Sequence, residues 1–422
     1  MGRAVLSLAW RSLWNRRGSA WLTILAIALS VALFLGVEKT RNAAKAGFDN
    51  TISGTDLIVG APSGQVNLVL YSVFRMGNAT AEISWQGYQR IANREDVAWT
   101  VPISLGDSHR GFRVLGTNTD YFKHYRYGQD QPLRLAAGQR FEDLFDAVIG
   151  AQVARDLGYD LGAPLILTHG LGAAGLADHE NRPFRVVGIL APTGTPVDQT
   201  VHIPLEGVTA IHVGWESGSR NPLADAITEE MLRGFDLTPR TVTAIFVGLR
   251  SRGSILRTRR DINTDRREPM LAIIPGAALG ELWQVMGTIE RILLAISAFV
   301  VAVGLVSILT SILTSLNERR REMSILRAVG ARPAHIFSLM VIEAGVLGLI
   351  GALLGAILIQ GLFAVAKPIL QVNYGVALIG TGPSLVDLVT ILAVTKAAIV
   401  LGLVPAITAM RRSLADGLSI RM

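Results

Sequence analysis

The chain has 422 residues, of which 50% are hydrophobic and only 17% are charged, and it contains no cysteine. This composition excludes a disulfide scaffold and thiolate metal sites, and so little charge is atypical of a soluble protein of this length. The formal net charge of +7 would suit a nucleic-acid partner, but many of the arginines lie beside long apolar blocks. The sequence therefore indicates a membrane protein.

The chain begins with an amphipathic segment, residues 1–18, and continues into its first apolar block. Apolar side chains recur at helical spacing in this segment, which predicts a helix lying in the membrane interface. Residues 19–37 are predicted to form the first transmembrane helix, which would end at the polar run Glu38–Arg41. A cleaved signal peptide is the alternative, but the apolar run exceeds a usual signal-peptide core and no small-residue cleavage site follows it.

Residues 38–286 contain no spanning block and are long enough for one or two folded units outside the cytoplasm. Their mixture of strand and helix patterns predicts an α+β fold. The predicted strands are Leu57–Val59, Val97–Ile103, Phe112–Leu115, Leu165–Thr168, Phe184–Leu190 and Val242–Leu249. The predicted helices are Gln65–Met76, Ser84–Arg94 with Ser84 as N-cap, Ala151–Leu157, Leu223–Phe235 and Ile255–Thr264.

Candidate catalytic and metal-binding residues are scarce in this domain. The Gly-rich loop His169–Pro183 holds Asp178, His179 and Glu180, but without regular ligand spacing a solvated loop is favoured over a metal site. The chain has no phosphate-binding G-x-x-x-x-G-K-[ST] loop and no G-x-S-x-G elbow. We therefore predict that it is not an enzyme and that it holds no cofactor. The basic stretch Arg250–Arg267 is interpreted as a solvated helix.

Three further apolar blocks follow the domain. The predicted segments are a second span at 287–317, a cytoplasmic loop at 318–335, a third span at 336–366, a short outer loop at 367–384, a fourth span at 385–410 and a tail at 411–422. Arginines cluster before the first span, between the second and third, and after the fourth. The positive-inside rule places these segments, and both termini, in the cytoplasm, although Lys39, Arg41 and Lys45 oppose it locally.

Two features of the spans draw attention. Gly348, Gly351 and Gly355 lie along the third span and allow close approach of another helix, either within one subunit or in a dimer. Lys396 lies near the middle of the fourth span, where a charge is costly and often functional. Glu343 is a candidate counter-ion, but an axial offset of about 12 Å separates the two residues, and inward packing or a local water is the alternative account.

The segment between the second and third spans is the most informative. Good helix formers continue the second span through Asn317–Ala328, Gly330 can end that helix in a left-handed cap, and Pro333 suits the start of the next helix. Its apolar residues stand among arginines, which suits either a docking surface or a helix lying on anionic lipid. The residues proposed to couple to a partner here are Glu322, Met323, Ile325, Leu326, Arg327 and Gly330.

This stretch resembles the core of the FtsX/MacB-type permease family. The matching residues are Arg320, Glu322, Met323, Ile325, Leu326, Arg327, Ala328, Gly330, Ala331, Glu343, Gly351 and Gly355. The similarity extends to segments that look like the periplasmic core of the MacB-type branch: Gly138–Phe141, Val148–Gly150, Leu157–Gly158, Phe184–Leu190, Asp198 and Ile203–Leu205. The fold class expected is an α-helical membrane protein with four transmembrane helices and a large α+β periplasmic domain inserted between helices 1 and 2.

The resemblance implies a permease subunit of a type VII, MacB-like ABC transporter in the bacterial inner membrane. Family members work as pairs of permeases with two copies of an ATPase that uses ATP and Mg, and the loop after the second span acts as the coupling helix. Because the chain ends soon after the fourth span, a separate ATPase subunit is expected. A periplasmic adaptor or substrate protein and membrane lipid are further expected partners, and nucleic acid is not.

Two functions are compatible with this resemblance. One is export or release of a hydrophobic or amphipathic substrate by mechanotransmission, in which ATP-driven motion is relayed to the outer domain. The other is FtsX-like signalling, which regulates a periplasmic partner without transport. The size of the outer domain and its MacB-like core favour export.

Overall fold

The computed structural model describes residues 17–169, 182–214, 227–328, 330–374 and 380–415. The predicted interfacial helix and the candidate metal ligands Asp178, His179 and Glu180 lie outside these residues. The chain divides into two compact units. The membrane unit comprises Met1–Ala44, Gly287–Pro368 and Ile379–Met422, and the sheet unit comprises Lys45–Met286 and Ile369–Leu378.

The helices are numbered along the chain. They are α1 (Arg17–Asp49), α2 (Gln65–Ser72), α3 (Trp85–Ala92), α4 (Asp120–His124), α5 (Ala151–Leu157), α6 (Leu205–His212), α7 (Glu229–Arg233), α8 (Ile255–Asn263), α9 (Pro275–Ala328), α10 (Pro333–Tyr374) and α11 (Leu385–Ala415).

The strands are numbered in the same way. They are β1 (Leu57–Gly60), β2 (Ile83–Ser84), β3 (Val97–His109), β4 (Phe112–Thr117), β5 (Arg126–Tyr127), β6 (Gln131–Pro132), β7 (Leu135–Gly138), β8 (Asp146–Ile149), β9 (Pro164–Leu165), β10 (Thr168–His169), β11 (Phe184–Leu190), β12 (Thr200–Pro204), β13 (Thr241–Val242), β14 (Ala244–Leu249) and β15 (Leu271–Ile273).

Four helices of the described chain are long and apolar enough to cross a membrane. The candidate spans are Arg17–Phe48, Met286–Thr314, Pro333–Leu370 and Leu385–Met410. The large α+β domain lies in sequence between the first and second of them, so the predicted fold class is confirmed. The end of the first span at Glu38–Arg41 stays a prediction, but helix α1 itself continues past this polar run to Asp49. The reason is that these polar residues are adequate helix formers and no proline interrupts them.

The sheet unit is built on a mixed sheet of eleven strands. Nine of them follow the order β15-β1-β14-β3-β4-β12-β8-β11-β7, while β10 pairs with β3 and β9 pairs with β11. The long strand β3 joins the two halves of this sheet, because its first part pairs with β14 and its second part with β4. A register shift between Leu105 and Ser108 marks the second pairing.

Both faces of the first half of the sheet are covered. Because side chains alternate along a strand, Leu57 and Val59 of β1 enter one hydrophobic cluster with Ile91 of α3 and Ile262 of α8. Ile58 points the other way, into a cluster that includes Leu68 of α2. A third cluster fills the second half of the sheet, around β8, β11 and β12. All four residues of β1 are accordingly buried.

Most predicted elements of the domain are observed, and Ser84 caps α3 by accepting a hydrogen bond from Gly87 N at 3.0 Å. Two strand predictions are wrong in detail. Leu165–Thr168 is divided between β9 and β10, which pair with different strands, and Val242–Leu249 is interrupted at Thr243. At this position Thr243 N still donates to the Ile103 carbonyl oxygen, and the Thr243 side chain accepts a hydrogen bond from Leu105 N. Of the predicted helix Leu223–Phe235, the described residues form only α7.

Candidate functional site

The backbone of the predicted coupling segment has the expected course. Helix α9 continues without a break from the second span to Ala328, Gly330 has a φ of 98°, and α10 begins at Pro333. His335 accepts a hydrogen bond from Arg332 N at its Nδ1 (3.0 Å), which satisfies one amide at the start of α10. The side chains of Glu322, Met323, Ile325, Leu326 and Arg327 lie outside the described residues.

The glycines of the third span pack within this chain. A Cβ placed on Gly351 would lie 2.7 Å from Ile27 Cβ, and one on Gly355 would lie 2.5 Å from the carbonyl oxygen of Ala28. Gly348 faces α11 instead, where a Cβ would lie 2.5 Å from Ala398 Cβ. Helix α10 therefore contacts α1 on one side and α11 on the other, and intrasubunit packing accounts for all three glycines.

Sequence reasoning missed a buried ion pair in the membrane unit. Lys39 Nζ of α1 lies 2.9 Å from Asp387 Oδ2 of α11, and it also donates a hydrogen bond of 2.8 Å to the carbonyl oxygen of Gly382. Gln360 Nε2 of α10 and Ser384 N donate to the same carboxylate oxygen at 3.1 and 3.0 Å. The lysine and aspartate side chains are 5% and 11% exposed. The cluster links three of the four spanning helices.

The two oxygens of Asp387 differ in their surroundings. The hydrogen bonds from Lys39 Nζ, Gln360 Nε2 and Ser384 N all reach Oδ2, whereas Oδ1 is buried and accepts none from the described part of the chain. A signal for the pair was present in the sequence, because Lys39 and Asp387 both stand near the predicted outer ends of spans. Their separation by 348 residues concealed the contact.

The candidate pair of Lys396 and Glu343 is not formed. Glu343 is buried on α10 with an exposed fraction of 5%, whereas Lys396 is exposed on α11. No salt bridge or hydrogen bond of Lys396 is present among the residues that the structure covers. The alternative account, that Lys396 packs toward the bundle interior, is also wrong for the single chain.

The sheet unit contains an open cavity of about 580 Å³, a size typical of small-molecule sites. Strands β3 and β4, helix α6 and the segment after α7 form its walls. Its surface combines apolar side chains, among them Val208 and the 45% exposed Phe235, with the charged groups of Glu82, Asp236 and Arg240. Such a mixture can hold a molecule with an apolar body and a polar group. This cavity could not be predicted from the sequence, since its walls come from five separate segments.

A buried polar group lies elsewhere in the same unit, around His202 of β12. Burial, together with the nearby charge of Arg75, lowers the pKa of His202 to about 3, so the ring is neutral. Its Nδ1 therefore donates to the carbonyl oxygen of Val148 at 3.1 Å, and its ring lies 5.2 Å from that of Tyr121. Burial also raises the pKa of Tyr121 to about 12. These side chains act as part of the core.

A metal site finds no support in the described residues, where no group of three His, Cys, Asp or Glu side chains is suitably placed. Helix α8, from the basic stretch, carries its charges at the surface, and Thr258 donates a 2.6 Å hydrogen bond to Asp96. Arg94 binds the same carboxylate at 2.9 Å, which lowers the pKa of Asp96. The interpretation of a solvated basic helix agrees with this structure.

Comparison with known proteins decides the family. The family model for the MacB-like periplasmic core domain matches residues 20–263, more than half of the chain, and that for the C-terminal part of FtsX-like permeases matches residues 294–415. The chain belongs to the FtsX/MacB-type permease family. The first match ends with α8, and the second begins inside α9, within the second span, and contains both the coupling segment and the glycine-bearing helix α10.

Several relatives of this permease have export names. It is 26% identical over 362 residues to "Macrolide export ATP-binding/permease protein MacB" of Azoarcus sp. (strain BH72), covering 82% of this chain and 49% of that protein. It is 23% identical over 379 residues to "Pyoverdine export ATP-binding/permease protein PvdT" of Pseudomonas fluorescens, covering 86% and 52%. The permease spans about half the length of the curated relatives it matches.

Two solved structures align with slightly more than half of the chain. The periplasmic region of MacB from Actinobacillus actinomycetemcomitans aligns with a TM-score of 0.34 at 10% identity, covering 55% of the permease and 94% of that chain. The extracellular domain of the noncanonic ABC-type transporter YknZ from Gram-positive bacteria aligns with a TM-score of 0.30 at 14% identity, covering 52% and 99%.

Proposed function

We propose that this permease couples ATP hydrolysis by a separate ATPase to movements of its periplasmic domain, and so exports or releases a hydrophobic or amphipathic substrate. Two ATPase copies would use ATP and Mg, and two permease copies would form the membrane part. The protein would lie in the bacterial inner membrane with both termini in the cytoplasm, where arginines flank its spans.

The observation that carries this proposal is the course of the coupling segment. The helix of the second span continues past the apolar region, turns at Gly330 and returns as the third span. Because the projecting part of α9 belongs to the same rigid helix as the span, a push on it would move the span directly. The glycine contacts then tie α10 to α1 and α11, so the four helices would respond together.

The cavity in the sheet unit supports an amphipathic substrate. Apolar side chains such as Val208 and Phe235 can bury the apolar part of a substrate, and the charged groups around them can orient its polar part. The names of several relatives describe export, which agrees with the proposed export of a substrate, but those names apply to the relatives and not to this permease. An adaptor or a substrate protein in the periplasm is a further proposed partner.

The first test is affinity purification of the tagged permease from native membranes under mild detergent, with mass spectrometry of the co-purified proteins. Recovery of an ATPase supports the proposal, and a periplasmic adaptor beside it supports export. A cell-wall hydrolase in its place would favour FtsX-like signalling. An intact permease without any ATPase would contradict the coupling role.

The second test addresses the coupling segment itself. Leu326→Glu and Glu322→Leu place side chains of opposite character at the proposed contact and should uncouple ATPase activity in the reconstituted complex. Ser338→Ala, on α10, is the matched control, because it removes only a local hydrogen bond to the Ala334 carbonyl. Unchanged ATPase binding and coupling in both charge variants would show that the docking surface lies elsewhere.

A further inference from the structure

The charge of Lys396 stands on an otherwise apolar helix face. Leu385, Val389, Leu392, Lys396, Val400 and Val404 recur at helical spacing along α11, and we call this stripe the Lys396 face. Leu385, Val389 and Val400 are 80%, 62% and 61% exposed, so the stripe is uncovered by the rest of the chain. Lys396 is itself exposed at its centre.

Depth distinguishes Lys396 from the other exposed charges of the spans. At 1.5 Å per residue it lies about 16 Å from the start and about 21 Å from the end of the span Leu385–Met410. A four-methylene side chain recovers only a fraction of either distance by snorkelling. By contrast, Lys367 stands close to the end of its span, Pro333–Leu370, where its charge can reach water. Hydrocarbon would thus cover the other exposed faces well but would leave Lys396 unsolvated.

The chain itself offers no acid to neutralise this charge, as far as its described side chains show. Glu38 is hydrogen-bonded to Arg41, and Glu290 lies 3.8 Å from the same arginine, both near the ends of spans. Asp387 is buried with Lys39, and Glu343 is buried on α10. A second copy would bring the same set of groups, with no exposed carboxylate at the depth of Lys396 among them.

We propose that the Lys396 face binds a membrane-spanning helix of a different protein, one that carries an aspartate or glutamate at mid-bilayer depth. The apolar residues above and below the lysine would pack against this helix, and the carboxylate would pair with the ammonium group. Charge complementarity fixes the depth and register of the contact, since a shift of one helical turn would separate the two charges by about 5 Å. This inference is independent of the proposed export function.

The absence of cysteine makes the test direct. A single cysteine at Ile357, a 65% exposed residue of α10 outside the Lys396 face, is introduced as Ile357→Cys and carries a donor fluorophore in the full chain reconstituted in phosphatidylcholine vesicles. The probe is a synthetic leucine-rich spanning helix with a central glutamate and an acceptor fluorophore, and its matched probe has glutamine instead. Energy transfer should show the glutamate helix binding about tenfold more tightly than the glutamine helix.

Variants of the lysines complete the design. Lys396→Met should abolish the preference for glutamate, Lys396→Arg should retain it, and Lys367→Met should leave it unchanged. Equal binding of the two probes, or a preference that persists in Lys396→Met, would overturn the proposal and leave bulk lipid as the occupant. Energy transfer between donor- and acceptor-labelled copies of the permease that disappears in Lys396→Met would overturn it in favour of a second copy.

Discussion

Lys39 and Asp387 form an ion pair of 2.9 Å between the first and last spanning helices, and both side chains are almost fully buried. Such a pair is costly to break because removal of one member leaves the other charged and without compensation. The pair also explains the position of Lys39, which is contrary to the positive-inside rule. At the predicted outer end of its span, Lys39 is neutralised by this aspartate.

Removal of either charge should therefore destabilise the membrane unit. We expect Lys39→Met or Asp387→Leu to lower the free energy of unfolding by about 3–5 kcal/mol, and the double variant to lose less than either single one. Thermal unfolding in detergent measures this. Arg41→Met, which breaks the more exposed pair with Glu38, should cost at most about 1 kcal/mol. Additive losses in the double variant would argue against coupling of the two charges.

A methyl group at Gly355 should disturb the contact between α10 and α1. Its Cβ would lie 2.5 Å from the Ala28 carbonyl oxygen, a backbone atom that cannot move alone. We expect Gly355→Ala to lower the free energy of unfolding by about 1–3 kcal/mol. Gly361→Ala in the same helix is the control, because nothing lies within 4 Å of its Cβ, and it should be neutral or stabilising by up to about 1 kcal/mol. Equal effects of the two substitutions would contradict close packing at Gly355.

Acid should destabilise the sheet unit through His202. Its folded pKa of about 3 lies below its ordinary value of 6.5, so below pH 6.5 the unfolded chain takes up a proton that the folded chain does not. The contribution of His202 to the free energy of unfolding is thus complete above pH 6.5 and decreases as the pH falls toward about 3. The loss between pH 7 and pH 5 should be about 2 kcal/mol.

Hydrogen exchange of the β12 amides in the full chain, at the two pH values, measures this loss. His202→Leu should reduce the pH dependence by that amount whatever its effect at pH 7. His212→Gln, at a partly exposed histidine, should leave most of the pH dependence in place. An unchanged pH dependence in His202→Leu would show that another group carries it.

The sheet-unit cavity should bind amphipathic molecules if the proposed function is right. We expect Phe235→Ala to weaken binding of a dansyl-labelled amphipathic peptide to the purified full chain about tenfold, because an exposed aromatic wall is lost. Fluorescence polarisation measures the affinity. Met231→Ala is the control, since this 51% exposed residue lies nearby in sequence but outside the cavity wall. Equal affinities of Phe235→Ala and the unmodified chain would remove the cavity from the proposal.

Sequence reasoning succeeded where local signals sufficed. Apolar run length predicted the spans, and the Gly330 and Pro333 pattern predicted the turn between α9 and α10, because backbone preferences act over a few residues. The contact between Lys39 and Asp387 could not be predicted, since it depends on which helices become neighbours. The exposure of Lys396 was missed for the same reason, because a helix pattern shows which residues share a face but not what that face contacts.

Strand β3 has a consequence for how the sheet unit unfolds. Its residues pair with β14 over one part and with β4 over the next, so a single strand is hydrogen-bonded into both halves of the sheet, and its side chains enter the clusters on both faces of the first half. Detachment of β3 would remove a central ladder from each half at once. We therefore expect the two halves to form one cooperative unit, in which the slowest-exchanging amides of both lose protection at the same denaturant concentration.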